Sequence, residues 1–204
     1  MNDRLAALLE KPLVYRVWQA PFVGEKLAPV LRNSDNLAGV RRILDVGCGP
    51  GTNAPRFTGR DYTGIDINPK YIDYARQHFD GKFEVADATT YEVEPGDRFD
   101  FVLINSFLHH IPDEAVSRIL AHVSTVLTPD GHVHVIDMDL PEKRSLARTM
   151  ALADRGDYCR PQSRWMELFS ASFEPVVVEP FGVGAARWEP TTIWRMIYLK
   201  GRAK

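Results

Sequence analysis

Two cysteines in 204 residues, Cys48 and Cys159, make neither a disulfide framework nor a cysteine-based zinc site. Charge of one sign is missing as well: 25 Lys and Arg stand against 27 Asp and Glu, a formal net charge of −2. Nucleic-acid binders show a basic face, so no nucleic-acid partner is expected. No window approaches the roughly 18 apolar residues of a spanning helix, and no transmembrane segment is expected. The start, Met1-Asn2-Asp3-Arg4, lacks the basic, apolar and small-residue parts of a signal peptide. A reducing, cytoplasmic setting is therefore expected. There is no internal repeat and no low-complexity segment. The length fits a single domain over 1–204.

What is present is organised around Ile43-Leu44-Asp45-Val46-Gly47-Cys48-Gly49-Pro50-Gly51-Thr52. Ile43 to Val46 reads as a buried strand. Gly47, Gly49 and Gly51 then allow a tight turn with positive φ and close approach of a ligand to the backbone. Asp45 sits at the strand's carboxyl end, where doubly wound α/β folds place their ligands. The dinucleotide fingerprint G-x-G-x-x-G requires a third glycine at position 52, where this chain has Thr52. That opposes a dehydrogenase.

The rest of the chain alternates strand and helix. Residues 3–31 read as helical in two or three pieces broken by Pro12, Pro21 and Gly24, with Tyr15, Trp18 and Phe22 in the middle piece. We expect residues 1–40 to form a helix packed on the domain or a lid over it. A short helix is expected near Thr52. Asp61–Ile67 is the second strand, carrying Asp66, which lies 66 − 45 = 21 positions after Asp45. An acid at this offset binds ribose hydroxyls in nucleotide-binding α/β folds. Asn68-Pro69 opens a helix as N-cap and first residue. Lys82–Ala86 is the third strand, followed by Asp87-Ala88, and Phe99–Asn105 is the fourth. The helix after Pro112 presents Val116, Ile119, Leu120, Val123 and Leu127 on one face. Thr128-Pro129-Asp130-Gly131 is a turn before the fifth strand, His132–Met138. Helices are expected at 142–154 and 161–171, with a terminal strand pair at 174–179 and 192–200. The fold class is α/β, a doubly wound Rossmann-like sheet of seven strands. It is mostly parallel with an antiparallel C-terminal edge and has helices on both faces.

The glycine loop, Asp66, Asp87, the run Asn105-x-x-Leu108-His109-His110-Ile111-Pro112, and Pro129-Asp130-Gly131 stand in an order that resembles the class I S-adenosylmethionine-dependent methyltransferases. The resemblance covers residues 41–139 motif by motif, the expected cofactor-binding core. It implies that the cofactor is S-adenosylmethionine, leaving as S-adenosylhomocysteine. Asp45, Gly47, Cys48, Gly49 and Gly51 would cradle its methionine part. Asp66 would bind the ribose, Ile67 would pack beside the adenine, and Asp87 and Ala88 would hold the adenine edge. Asn105 would offer its backbone carbonyl to the cofactor's amino group.

Methyl transfer from a sulfonium needs alignment and, for a hydroxyl acceptor, a base. His109 and His110, with Asp137 at the end of the fifth strand, are the candidates for catalysis. His132 and His134 share a strand face at a spacing that could hold a metal, but no third ligand is in register; no metal is expected. Arg144, Arg148, Arg155, Arg160 and Arg164 cluster after the fifth strand, and arginine forks bind carboxylate or phosphate. They raise the idea of an anionic small-molecule acceptor. The expected activity is methyl transfer to oxygen or nitrogen of a small molecule. The alternatives are a lipid or quinone acceptor at a membrane surface, or a non-catalytic S-adenosylmethionine binder. The acceptor's identity and the oligomeric state are not legible in the sequence.

Overall fold

The computed structural model describes residues 24–153, 157–184 and 194–204. The aromatic stretch Tyr15 to Phe22, Arg155 and the centre of the last loop lie outside the described residues. Helix α1 covers 24–32. Strand β1 (Arg42–Val46) leads through the glycine loop to β2 (Asp61–Asp66), helix α2 (Pro69–His78) and β3 (Lys82–Val85). Strand β4 (Phe99–Asn105) leads to α3 (Asp113–Val126) and β5 (Leu127–Met138). Helices α4 (Leu146–Ala153) and α5 (Gln162–Ser172) precede β6 (Phe173–Val183) and β7 (Trp194–Ala203).

The sheet order is β3-β2-β1-β4-β5-β7-β6. Only β7 runs against the rest, inserted between β5 and β6 with antiparallel pairing on both sides. Order reverses between β1 and β4, so a crevice opens above the carboxyl ends of those strands.

Strand alternation divides the core. Leu44, Val46, Val102, Ile104, Val133 and Val135 pack on the face covered by α3 and α5. Ile43, Phe101, Leu103 and Ile136 face α1, α2 and α4. Because side chains alternate along a strand, Asp45 and Asn105 point with the second set and Asp137 with the first. Helix α3 buries Val116, Ile119, Leu120, Val123 and Val126; each large apolar side chain removed from water stabilises by about 2 kcal/mol. Among the described residues no helix is long and apolar enough to cross a membrane.

The short helix after the glycine loop is a 3-10 helix, Ala54–Phe57, with Pro55 in its first turn. Two local expectations change. The turn Thr128–Gly131 lies inside β5 as a bulge: Phe99 pairs with Leu127 and Phe101 already with His132. A Cβ at Gly131 would stand 2.9 Å from the carbonyl oxygen of Phe99, so the bulge needs that glycine. The helix expected from 142 begins only at Leu146.

Candidate functional site

The glycine loop bends tightly over the end of β1. Gly47, Gly49 and Gly51 have φ of 68°, 55° and 80°. The N–H groups of Gly47 and Cys48 both donate to the carbonyl of Ile65, at 2.8 and 3.0 Å. A Cβ on Gly47 would fall 2.5 Å from the Phe107 ring, so the loop and the turn after β4 touch there. Gly51 acts differently, because its missing Cβ makes room for Phe79 and for Ala75 of α2, at 2.9 and 3.0 Å. It supplies the helix packing that the dinucleotide fingerprint assigns to position 52. Cys48 sends no side chain into the crevice. Its thiol is buried against Gly64, and burial, then the charges of Asp45 and Asp66, push its pKa far up.

Asp45 is fully buried. Its Oδ2 accepts from Tyr62 Oη at 2.6 Å and Asn53 Nδ2 at 3.0 Å, while Oδ1 has no hydrogen-bond partner among the described residues. Burial raises the carboxyl to about 6, although both hydrogen bonds pull it down. An orphaned buried oxygen leaves desolvation uncompensated, and a donor arriving from the crevice would relieve it. Asp66 is oriented by two backbone donors, Gly49 N–H at 2.9 Å and Asn68 N–H at 2.8 Å. Burial raises its pKa against these two bonds. Each carboxylate oxygen retains a lone pair for a hydroxyl.

Beyond Asp66, Ile67 is 74% exposed, a flat apolar surface at the end of β2. Asp87 is exposed and turns on the N–H and hydroxyl of Thr89, both at 2.8 Å, which hold its carboxyl low. Ala88 is half-buried on the core. A carboxyl with an unsatisfied oxygen, an acid oriented by two backbone donors and an exposed apolar side chain beside it fit a zwitterionic nucleoside such as S-adenosylmethionine.

At the turn after β4, Ser106 takes φ +59°, a left-handed conformation costing about 1–2 kcal/mol for a residue with a Cβ. Its N–H donates to Ile136 and its Oγ to Asn105 Oδ1, at 2.8 and 2.9 Å. His109 and Asp137 come together from sequence positions 28 apart: His109 Nδ1 lies 2.5 Å from Asp137 Oδ1, and both are buried. Asp137 also accepts the N–H groups of Leu108 and Met138, at 2.9 and 2.7 Å. The network assigns the proton to Nδ1 of His109 and the lone pair to Nε2. His110 is exposed and lies against the His109 ring, with centroids 4.0 Å apart.

Arg160 was not legible as part of this arrangement. It is 4% exposed and donates to the carbonyls of Leu108 and Ile111 at 2.9 and 2.6 Å, and to Asp113 at 2.5 Å. It thereby clamps the turn that carries His109. Arg164 joins Asp113 and Glu167, and Arg148 donates to the Pro141 carbonyl. These three arginines are engaged by the protein itself. His134 likewise has a structural partner, Tyr198 Oη at 2.9 Å, and stacks on Phe101. A cavity of about 1240 Å³ lies apart from the glycine loop, between α1, the end of β5 and the β6–β7 ends, and includes Arg32, Asp139, Glu179 and Arg195.

A family model described as a methyltransferase domain matches residues 43–131. Trans-aconitate 2-methyltransferase of Delftia acidovorans is 30% identical over 117 residues, covering 54% of this chain and 42% of that protein. A ubiquinone biosynthesis O-methyltransferase of Thiobacillus denitrificans is 36% identical over 104 residues, 48% of this chain and 44% of its own. The chain thus spans less than half the length of these two curated relatives. Among solved structures, the N-methyltransferase NodS of Bradyrhizobium japonicum, in complex with S-adenosylhomocysteine, superposes with a TM-score of 0.69 at 15% identity. That match covers 90% of this chain and 88% of that one.

Proposed function

We propose, from the premise that this chain carries a class I S-adenosylmethionine-dependent methyltransferase domain, that it moves a methyl group to oxygen or nitrogen of a small-molecule acceptor. The cofactor, S-adenosylmethionine, supplies a methyl group on a positive sulfonium and leaves as a neutral thioether. The protein supplies binding, alignment and proton removal. The glycine loop and Asp45 receive the amino-acid tail, Asp66 the ribose, and Ile67, Asp87 and Ala88 the adenine.

The observation that carries the acceptor chemistry is the His109–Asp137 pair, 2.5 Å apart. Asp137 fixes the ring and its tautomer, so Nε2 takes the proton of an acceptor hydroxyl or amine as its bond to the methyl carbon forms. Asp137 then stabilises the imidazolium. The Delftia relative's name supports an acid as acceptor, and the Thiobacillus relative's name supports the second reading, a quinone or lipid.

The test is transfer of labelled methyl groups from S-adenosylmethionine into a cell extract, followed by separation into small-molecule, lipid, protein and nucleic-acid fractions. Label in the small-molecule fraction, lost with His109→Gln, is the expected result. Label in lipid selects the second reading. S-adenosylhomocysteine binding with no label in any fraction replaces both with a non-catalytic binder.

A further inference from the structure

The carboxyl ends of the strands carry two spaces, one on each side of the His109–Asp137 pair. From the middle of the sheet the order runs β1, β4, β5, β7, β6. The cofactor crevice lies over β1 and β4, His109 follows β4, and Asp137 stands near the end of β5. The cavity of about 1240 Å³ lies on the other side, at the end of β5 and over β7 and β6. Because β7 runs antiparallel, its first residues reach this end of the sheet, and Arg195 is among them. Asp139, roughly 7 Å along the chain from Asp137, fixes Arg195 twice. Its N–H donates to the Arg195 carbonyl at 3.0 Å, and its carboxylate accepts from Arg195 Nε at 2.7 Å. Asp139 is 2% exposed, whereas the Arg195 side chain is 37% exposed and lines the cavity. The two terminal guanidinium nitrogens of Arg195 have no hydrogen-bond partner among the described residues.

A guanidinium held at Nε by a buried carboxylate keeps a pair of terminal donors, which match the two oxygens of a second carboxylate. The other charges of the cavity limit what can enter. Arg32 is taken by Glu179, Glu25 accepts the N–H of Gly184, and Glu142 lies beside Lys143. One cationic fork among these acids suits a single carboxylate and disfavours a phosphate dianion. We propose that Arg195, oriented by Asp139, binds a carboxylate that the methyl acceptor carries apart from the atom that takes the methyl group. This assignment rests on the methyltransferase reading and narrows its acceptor to an acid. His109 Nε2 serves a hydroxyl or amine of that acid. The carboxylate on Arg195 stays unmethylated, so the product keeps it.

The experiment uses the full chain, labelled S-adenosylmethionine and a cell extract. The electrophoretic mobility of the labelled product should shift towards the cathode between about pH 5 and about pH 2, as a carboxylate takes up its proton. The acceptor purified from the same fraction is then the substrate in steady-state rates. Arg195→Gln should raise its KM about tenfold or more, the worth of a charge-assisted pair, with a smaller change in kcat. S-adenosylhomocysteine affinity, measured by calorimetry, should stay within about twofold of the wild type, because Arg195 and the crevice lie on opposite sides of Asp137. Arg195→Lys, a charge without the fork, should fall between the two. If Arg195→Gln does not fold with Asp139 unpaired, Arg195→Gln combined with Asp139→Asn removes both charges and serves with the same readouts. A labelled product whose mobility is constant over that pH range would overturn the assignment. So would an unchanged KM, or equal losses for the acceptor and S-adenosylhomocysteine, either of which would leave Arg195 as an anchor for the end of β5. S-adenosylhomocysteine binding with no label in any fraction would overturn the methyl-transfer reading, and this assignment with it.

Discussion

The Tyr62 hydroxyl donates to Oδ2 of Asp45 at 2.6 Å, and both side chains are buried beneath the glycine loop. Burial pushes Asp45 up to about 6 against that bond and the one from Asn53. A raised carboxyl pKa means the folded protein prefers the protonated form. Its contribution to stability is complete below the ordinary value of about 4 and is lost as pH rises through about 6. An ammonium at Oδ1 prefers the carboxylate, so the ligand dependence runs the other way. Affinity for S-adenosylhomocysteine should rise between about pH 5 and pH 7, with proton release on binding. Calorimetry in two buffers of different ionisation enthalpy measures both. Tyr62→Phe removes a bond that lowers the Asp45 pKa, so the midpoint should move to higher pH. Asp66, also raised by burial, has no bond from Tyr62, and a midpoint unmoved by Tyr62→Phe would assign the titration to Asp66 instead. Affinity independent of pH would reject both.

The His109–Asp137 pair separates chemistry from binding. His109→Gln should lower turnover by about 10²–10⁴, the usual worth of a positioned general base. S-adenosylhomocysteine affinity should be retained, since neither residue belongs to the nucleoside row. Asp137→Asn should lower turnover too, by releasing the ring and changing its hydrogen-bonding partner. Exposed His110 should tolerate Ala with a change under about threefold. Turnover unaffected by His109→Gln would leave alignment alone as the protein's contribution.

Arg160 couples the same turn to α3 and α5. Replacing it with Met removes three donors and leaves the Leu108 and Ile111 carbonyls and Asp113 without them. Asp113 keeps Arg164, so the loss falls on the two stranded carbonyls, about 1–3 kcal/mol each, which for a chain of this size lowers the melting temperature by roughly 10 °C. Arg160→Lys should recover only part of this, because a single ammonium cannot serve three acceptors held in a planar fork. A melting curve for each variant decides it; an unchanged Arg160→Met curve would mean the clamp adds nothing.

These contrasts mark what the sequence could carry. Buried parallel strands are continuous apolar runs, and glycine or acid at their carboxyl ends marks the ligand side. So β1, β2 and β4 and the residues Asp45, Asp66 and Asp87 were readable in order. The seven-strand sheet followed from the alternation of elements. Partnerships across long sequence separations were not readable. Nothing near Arg160 signals two carbonyls about 50 positions earlier, and nothing near Lys26 signals Ser106, 80 positions on. In the arginine cluster after β5, composition shows the charges and conceals the internal partners of Arg148, Arg160 and Arg164. The bulge in β5 was hidden for another reason: Thr-Pro-Asp-Gly has turn chemistry whether the chain reverses there or continues in the same direction.

His134 gives a pH dependence of stability with the opposite sign to that of Asp45. It is buried on β5, stacked on Phe101 and bonded to Tyr198, and burial, then the charges of Lys200 and His132, hold its pKa well below the ordinary value. The folded state therefore keeps a neutral imidazole, while the unfolded chain takes up a proton near pH 6.5. Stability from this group is present above that pH and is lost as pH falls below it, by up to about 1.4 kcal/mol per pH unit. His132, pushed down to about 4 by burial and by Lys200 and Arg202, adds in the same direction. Asp45 opposes both over part of the same range. Urea unfolding of the wild type at about pH 7.5 and pH 5.5 should show a net loss on acidification, since both histidines take up a proton on unfolding across that range, while Asp45, Asp66 and Asp139, raised by burial, oppose them over only its lower part. His134→Gln should reduce that loss, even though it lowers stability at the higher pH by disturbing the stack on Phe101. An acid-induced loss of the same size in His134→Gln would show that the buried imidazole is not its source.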